Sequence, residues 1–283
     1  MKIILIGAGR IGSAVAFCLA KAGHDVAVVA RGARLAALSR DGAIVAVDGQ
    51  RVPVKVEAAF DPAIPYDLAI VTVPEHQLAP LLPALSASRA NTILLMFNTF
   101  QGTEPYRTLV GAERFAFGFP NMSAYLVDQR LRFRVDGPGM ATTMSNAVLA
   151  KRFKEAGMPC EVEDDMDAFL RSHVALVVPL FLAALLTWRR ATQLTWSEAR
   201  QLEVAWTEGF ELVRGLGHTP KPRLLATLLH MPSFARTGVL WLLSRSRPVK
   251  DLGEFGPTET RALIDAMAAA APGKTPRLLA LRP

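Results

Sequence analysis

A glycine triad seven residues into the chain constrains its fold more than any other feature. Gly7-Ala8-Gly9-Arg10-Ile11-Gly12 spells G-x-G-x-x-G, directly after an apolar run at 2–6 and directly before small and apolar residues with helical spacing at 11–22. In that context the first glycine permits a tight turn and the second lets a pyrophosphate approach the backbone. The third lets helix and strand pack closely. The amides at the start of the helix lack intrahelical partners and are suited to phosphate. The motif alone is weak, but strand before and helix after favour a nucleotide-binding turn over a merely glycine-rich one.

The rest of the first half continues in the same way. Apolar strands are predicted at 26–30, 68–73 and 92–97, with helical stretches at 33–39 and 77–85. Runs 43–47 and 52–56, joined through Asp48-Gly49, read as a hairpin, because Asp-Gly suits a tight turn. Strands apolar on both faces alternating with helices predict a mainly parallel sheet covered on both sides. Further strands are expected at 114–118 and 131–135. From about Asp165 every long segment reads as helix: 166–188, 197–216, 222–229 and 259–271. The expectation is α/β: a Rossmann-type, doubly wound domain over 1–165, then an all-helical domain over 166–283.

Half of the 283 residues are hydrophobic and a fifth are charged, which supplies a core and excludes wholesale disorder. The two cysteines, Cys18 and Cys160, make no disulfide framework and no metal-ligand spacing, so no metal is expected. The acidic cluster Asp164, Asp165 and Asp167 lacks such spacing too and suits a helix start. No leader is visible before the first strand, and the apolar run 174–188, carrying Pro179, is shorter than the roughly twenty residues of a membrane span. The expectation is a cytoplasmic protein off the membrane. The same run suits burial between domains or between subunits, so a homodimer is among the expectations. The net charge of +7 is spread along the chain without aromatic interleaving. That pattern disfavours nucleic acid and is compatible with a phosphorylated cofactor or an anionic substrate.

The end of the second strand selects the cofactor. An acid there holds the ribose hydroxyls of NAD, whereas a basic residue accepts the 2′-phosphate of NADP. This chain places Arg31 at that point and Arg34 three residues later, while Asp25 precedes the strand. NADP is predicted, over Gly7–Gly12, Arg31 and Arg34, with Val73 and Pro74 at the end of a neighbouring strand. Asn98, in Phe97-Asn98-Thr99-Phe100-Gln101-Gly102, ends a later strand on the ligand side of the sheet. It suits either a contact to substrate or nicotinamide or a plain turn.

Taken together these elements resemble the ketopantoate reductase family. The resemblance rests on Gly7–Gly12, Arg31, Asn98 within an Asn-x-x-x-Gly-like turn, and a helical half opening with Asp167-Ala168-Phe169-Leu170-Arg171. It covers nearly the whole chain in order and spacing, with looser matches in the helical half. It implies an NADP-dependent reductase acting on the carbonyl of a 2-oxo acid or related small anionic compound, ketopantoate being the family's substrate. By the same resemblance Asn98 fixes the nicotinamide side, the position of Arg171 faces the substrate, and Glu254 grips a polar substrate group. Asp251 and Glu259 compete with Glu254 for that last role.

The departures are chemical. The family's lysine acid falls on Arg171, its following asparagine on Ala175, and another lysine on Pro74. Guanidinium keeps its proton to about pH 12, so Arg171 orients or polarises an anion but donates a proton poorly. Another proton source is then needed: water, His173 or His76, although His173, two positions from Arg171 and so off its helix face, reads rather as a packed or interface histidine. Loss of the asparagine at Ala175 is expected to enlarge the pocket and to shift the substrate away from ketopantoate. A reading of a different class follows from the same losses, namely a non-catalytic NADP-binding sensor or partner-binding protein.

Overall fold

The computed structural model describes all 283 residues except Pro138, Ala191, Arg247, Pro248, Lys250 and Asp251, and the side chains of Arg189, residues 223–226, Glu254 and Phe255. The chain divides into two compact units. One comprises Met1–Phe97 and Thr103–Met166, the other Asn98–Gly102 and Asp167–Pro283.

The first unit is built on an eight-stranded sheet. Its strands are β1 (Lys2–Ile6), β2 (Asp25–Val29), β5 (Lys55–Glu57), β6 (Leu68–Val71), β7 (Thr92–Leu95), β8 (Phe115–Phe119), β11 (Thr142–Met144) and β12 (Cys160–Val162). Their spatial order is β12-β11-β8-β7-β6-β1-β2-β5. All neighbours are parallel except β8 and β11. Ile3 of β1 pairs with Val26 on one side and Leu68 on the other, and Ile3 through Ile6 are all buried. That is the double burial which makes such strands uniformly apolar. Because β2 lies on one side of β1 and β6 on the other, chain order reverses at β1. The loops after β1 and β6 therefore flank the crevice where open α/β sheets take ligands.

Helices α1 (Arg10–Lys21), α2 (Gly32–Asp41), α3 (Leu82–Ser86), α4 (Glu104–Val110) and α5 (Ala147–Glu155) belong to this unit, with hairpins β3 (Ala43–Val45)–β4 (Arg51–Pro53) and β9 (Ser123–Val127)–β10 (Arg130–Arg134). The two arms expected of the Asp48-Gly49 hairpin pair as expected at Ile44 and Val52, but the second run divides. After Val54, residues Lys55–Glu57 leave the hairpin and pair in parallel with β2. The helix expected over 77–85 is broken into short 3₁₀ turns, Glu75–Gln77 and Ala79–Leu81, before α3. Pro80 and Pro83 lack the N–H groups that a continuous helix would use there.

The second unit contains α6 (Met166–Arg190), α7 (Trp196–Gly215), α8 (Arg223–His230), α9 (Ser233–Leu243), α10 (Pro257–Ala270) and α11 (Pro276–Ala280). Helix α7 opens on a capping box in which Thr195 and Glu198 satisfy each other's backbone amides. The stretch 166–188 is long and apolar enough to cross a membrane, yet 61% of its most apolar window is buried inside the protein. It is the core helix of this unit: Val174, Val178, Phe181 and Leu182 pack with Trp206 and Phe210 of α7 and with Leu263 and Met267 of α10. Phe100, wholly buried, belongs to the same core.

Candidate active site

The turn after β1 is shaped by close approach. Gly7 has φ +105°, and a Cβ on it would meet Val73 Cγ1 at 2.9 Å. A Cβ on Gly12 would lie 2.1 Å from the Gly7 carbonyl oxygen and 2.5 Å from Thr72 Oγ1. A Cβ on Gly9 would meet nothing within 4 Å. The first and third glycines thus serve the packing of helix on strand, while the second leaves open space above an exposed backbone. Thr72, just after β6, donates from Oγ1 to the Gly7 carbonyl at 2.8 Å and ties the two loops together. Arg10 and Ile11 form the first turn of α1, whose capping residue is Gly9.

Above this turn lies a cleft of about 450 Å³, lined among others by Gly7, Ala8, Gly9, Arg31, Arg34 and Val73. Phe60, Ala84 and Leu126 add apolar walls, and no carboxylate is among the described lining residues. Asp25 stands at the opposite end of β2, where it accepts from Lys55 Nζ at 2.8 Å. Arg31 caps α2 and is exposed. Arg34 is differently placed. Its Nε donates to the Ala8 carbonyl at 3.1 Å, its Nη2 to Ser13 Oγ at 2.9 Å, and its Nη1 to the Gln129 carbonyl at 2.5 Å. Desolvation lowers the pKa of this guanidinium from its ordinary value. The open space over Gly9 and the amides of α1 fit the pyrophosphate of a dinucleotide, with the exposed Arg31 on the cleft wall. Pro74 lies beside Val73 at the start of a 3₁₀ turn.

In the second unit, Asn98 donates from Nδ2 to Glu259 Oε1 at 2.8 Å, across 161 positions of sequence. The carboxylate fixes which way the amide points, because only nitrogen can donate to it. Among the described residues Asn98 Oδ1 is then left buried and without a hydrogen-bond partner, an acceptor that a ligand N–H or O–H would satisfy. Glu259 sits in the first turn of α10, and is thus the late acid that meets Asn98. The Glu254 side chain and the whole of Asp251 lie outside the described residues.

Arg171 grips the segment that carries Asn98. Its Nε donates to the Phe100 carbonyl at 3.1 Å and its Nη2 to the Gln101 carbonyl at 2.9 Å. Its Nη1 lies 2.6 Å from His218 Nε2 and 3.6 Å from Asp167 Oδ2. Gly102, at φ +88°, leaves room for this grip, since a Cβ there would meet Arg171 Nη2 at 2.7 Å. All three guanidinium nitrogens are therefore engaged by the protein, and His218 joins them without having stood out in the sequence. Ala175 is 1% exposed and packs on Gly209 of α7, so no enlarged pocket opens at that position. The expectation of added room there fails because helix-to-helix contact fills it.

Neither histidine considered as a proton source is well suited. His76 is exposed, its ring nitrogen 3.4 Å from the Gln77 amide. His173 stacks on Phe169 with ring centroids 6.2 Å apart, and burial pushes its pKa down to about 4. It is neutral at pH 7 and holds its proton too weakly to serve as an acid there. The unfolded chain takes up this proton near pH 6.5 and the folded chain does not, so stability present above pH 6.5 is lost as pH falls toward 4. At most about 2 kcal/mol is expected to go between pH 7.5 and 5, the ring edge keeping some contact with water. Denaturant melts at the two pH values check this: His173→Gln should remove that share of the acid lability.

The comparisons fit this geometry. A curated 2-dehydropantoate 2-reductase from Mesorhizobium japonicum (strain LMG 29417 / CECT 9101 / MAFF 303099) is 36% identical over 89 residues, which span 30% of this chain and only 27% of that protein. A PanE/ApbA family ketopantoate reductase from Ralstonia eutropha JMP134 superposes with a TM-score of 0.77 at 19% identity, over 100% of this chain and 96% of that one. A D-mandelate dehydrogenase solved with NADH gives 0.73 at 14% identity, over 100% and 97%. At these identities the structures speak for the fold. The family model of ketopantoate reductase PanE/ApbA matches residues 3–144, half of the chain, and with the glycine turn and Asn98 both inside that span, the chain belongs to this family.

Proposed function

We propose that the protein is an NADPH-dependent oxidoreductase that reduces the carbonyl of a 2-oxo acid or a related small anionic carbonyl compound. The observation that carries the cofactor choice is a cleft bearing the exposed Arg31, with no carboxylate among its described lining residues, beside a glycine turn open above Gly9. When bound, the reduced nicotinamide supplies the hydride. The chain's residues do the rest. Backbone amides at the start of α1 hold the pyrophosphate, and Arg31 pairs with the 2′-phosphate. Asn98 Oδ1 accepts from the carboxamide or from a substrate hydroxyl, while Glu259 keeps that amide in one orientation. Arg171 holds the Phe100 and Gln101 carbonyls and so positions Asn98; its charge favours an anion nearby. The proton that completes the hydroxyl is assigned to water, because a guanidinium is a poor proton donor in general and burial holds His173 neutral.

Thermal unfolding with NADPH, NADH or neither tests the reading. NADPH at a hundred to a thousand times Kd should add roughly 2.7–4.1 kcal/mol of apparent stability. Arg31→Ala should weaken NADPH by about 10- to 100-fold, the worth of a charge-assisted contact, and leave NADH unchanged. NADPH oxidation against branched and aromatic 2-oxo acids then reports the substrate. The engagement of Arg171 by backbone and His218, where the family's lysine acid would stand, favours a second reading of a non-catalytic NADP-binding protein. NADPH binding without turnover on any substrate of that panel would decide for it.

A further inference from the structure

The contacts of Arg34 point beyond a phosphate ligand. Arg34 reaches four stretches of the first unit at once: its own helix α2, the glycine turn at Ala8, the start of α1 at Ser13, and the β9–β10 turn at Gln129. Ser13 is fully buried and donates from Oγ to the same Ala8 carbonyl at 3.0 Å, while its amide donates to the Gly9 carbonyl at 2.8 Å. The Ala8 amide is held by the Val29 carbonyl at 3.2 Å. Ala8 is thus pinned from both sides, and the backbone of Gly9 next to it is set with its open face outward. The far anchor is a tight turn in which Asp128 and Gln129 both adopt positive φ, 49° and 65°. Two adjacent non-glycine residues in the left-handed region persist only where surrounding contacts hold them.

We propose that Arg34 is a positioning residue that clamps the glycine turn into its nucleotide-accepting shape against the β9–β10 hairpin, leaving selection of the 2′-phosphate to Arg31. Its planar fork matches three acceptors in fixed directions, which a lysine ammonium cannot do. A clamp of this kind acts on the part common to both dinucleotides, so it affects NADPH and NADH alike. The inference rests on the cofactor reading above for its consequence, but not for the clamp itself.

The test compares Arg34→Lys, which keeps charge and loses the fork, with Arg31→Ala and the unchanged protein. Amide hydrogen exchange is measured first, without nucleotide. Arg34→Lys should raise exchange about tenfold at residues 8–13 and at 127–130 together, as expected when a local contact is lost. Binding of both dinucleotides is then measured by fluorescence. Arg34→Lys should weaken NADPH and NADH by a similar factor of about ten or more, the two worth about 1.4 kcal/mol per tenfold. Unchanged exchange at either stretch would overturn the clamp. Selective weakening of NADPH alone would make Arg34 a direct phosphate ligand, and full affinity in Arg34→Lys would make charge sufficient; each overturns the proposal. Failure of the unchanged protein to bind either nucleotide would sink the cofactor reading, while the exchange result would still decide the clamp.

Discussion

Replacing Gly12 by alanine is expected to destabilise the protein by about 3 kcal/mol and to abolish dinucleotide binding. The new Cβ would fall 2.1 Å from the Gly7 carbonyl oxygen, 2.5 Å from Thr72 Oγ1 and 2.7 Å from Leu5 Cδ2. Two of those three are held in place, the carbonyl by the turn and the threonine by its hydrogen bond to it. Helix α1 would have to lift off β1, and the amides of its first turn would move with it. Gly9→Ala separates the two effects. Nothing lies within 4 Å of its Cβ position, and its φ of −70° suits any residue. Stability should stay within about 0.5 kcal/mol, as for surface substitutions without a special contact. Affinity for NADPH should nevertheless fall by about tenfold or more, because the methyl group fills the space a pyrophosphate needs. Denaturant melts and nucleotide titrations on the two variants check this, and equal stability losses would contradict it.

Asn98→Ala is expected to lower kcat/KM by about 10²–10³, the usual cost of one positioned polar group in an active site. It removes the buried Oδ1 acceptor and leaves Glu259 without its 2.8 Å donor. Asn98→Asp is predicted to be worse for folding, since two carboxylates would then meet at hydrogen-bond distance and one must retain a proton. Adding Glu259→Gln should recover that stability by restoring one donor to one acceptor, with the direction of the bond reversed. Activity should not return with it, because a negative charge would then sit beside the anionic substrate of the proposed reaction. Melting temperatures and NADPH oxidation across the four combinations of the double-mutant cycle measure both outcomes. Additive stability changes would show that the pair does not interact.

These expectations divide by how far the sequence carries them. The β1–turn–α1 unit is legible because its signal is local: three glycines with fixed offsets between an apolar strand and a small-residue helix. The parallel sheet and the helical second half are legible for the same reason, their periodicities being properties of single segments. Asn98–Glu259 is not, because its partners are 161 positions apart and neither residue type is rare at a turn or a helix start. Arg34 reads locally as a neighbour of Arg31, yet its third contact is 95 positions away in a hairpin whose first strand has no strong alternation. Short strands such as β11, and the departure of β5 from its hairpin, depend on which edge is free to pair. Only the assembled sheet decides that. Arg171 shows the limit from another side: its position in α6 follows from spacing, but its grip on two carbonyls follows from where residues 98–102 run.

That last segment governs how the gene could be cut. Residues Asn98–Gly102 belong to the helical unit although the chain around them belongs to the other. Phe100, with none of its surface exposed, fills the helical core from 71 positions ahead of Arg171. A fragment beginning at Asp167 would be made without that ring, a deficit of the order of 3–5 kcal/mol for a buried phenylalanine. It would also leave Arg171 without the two carbonyls it holds. The helical half is therefore not a detachable module, and a shuffled or truncated chain keeps it intact only by carrying the stretch from 98 to 102 along with it.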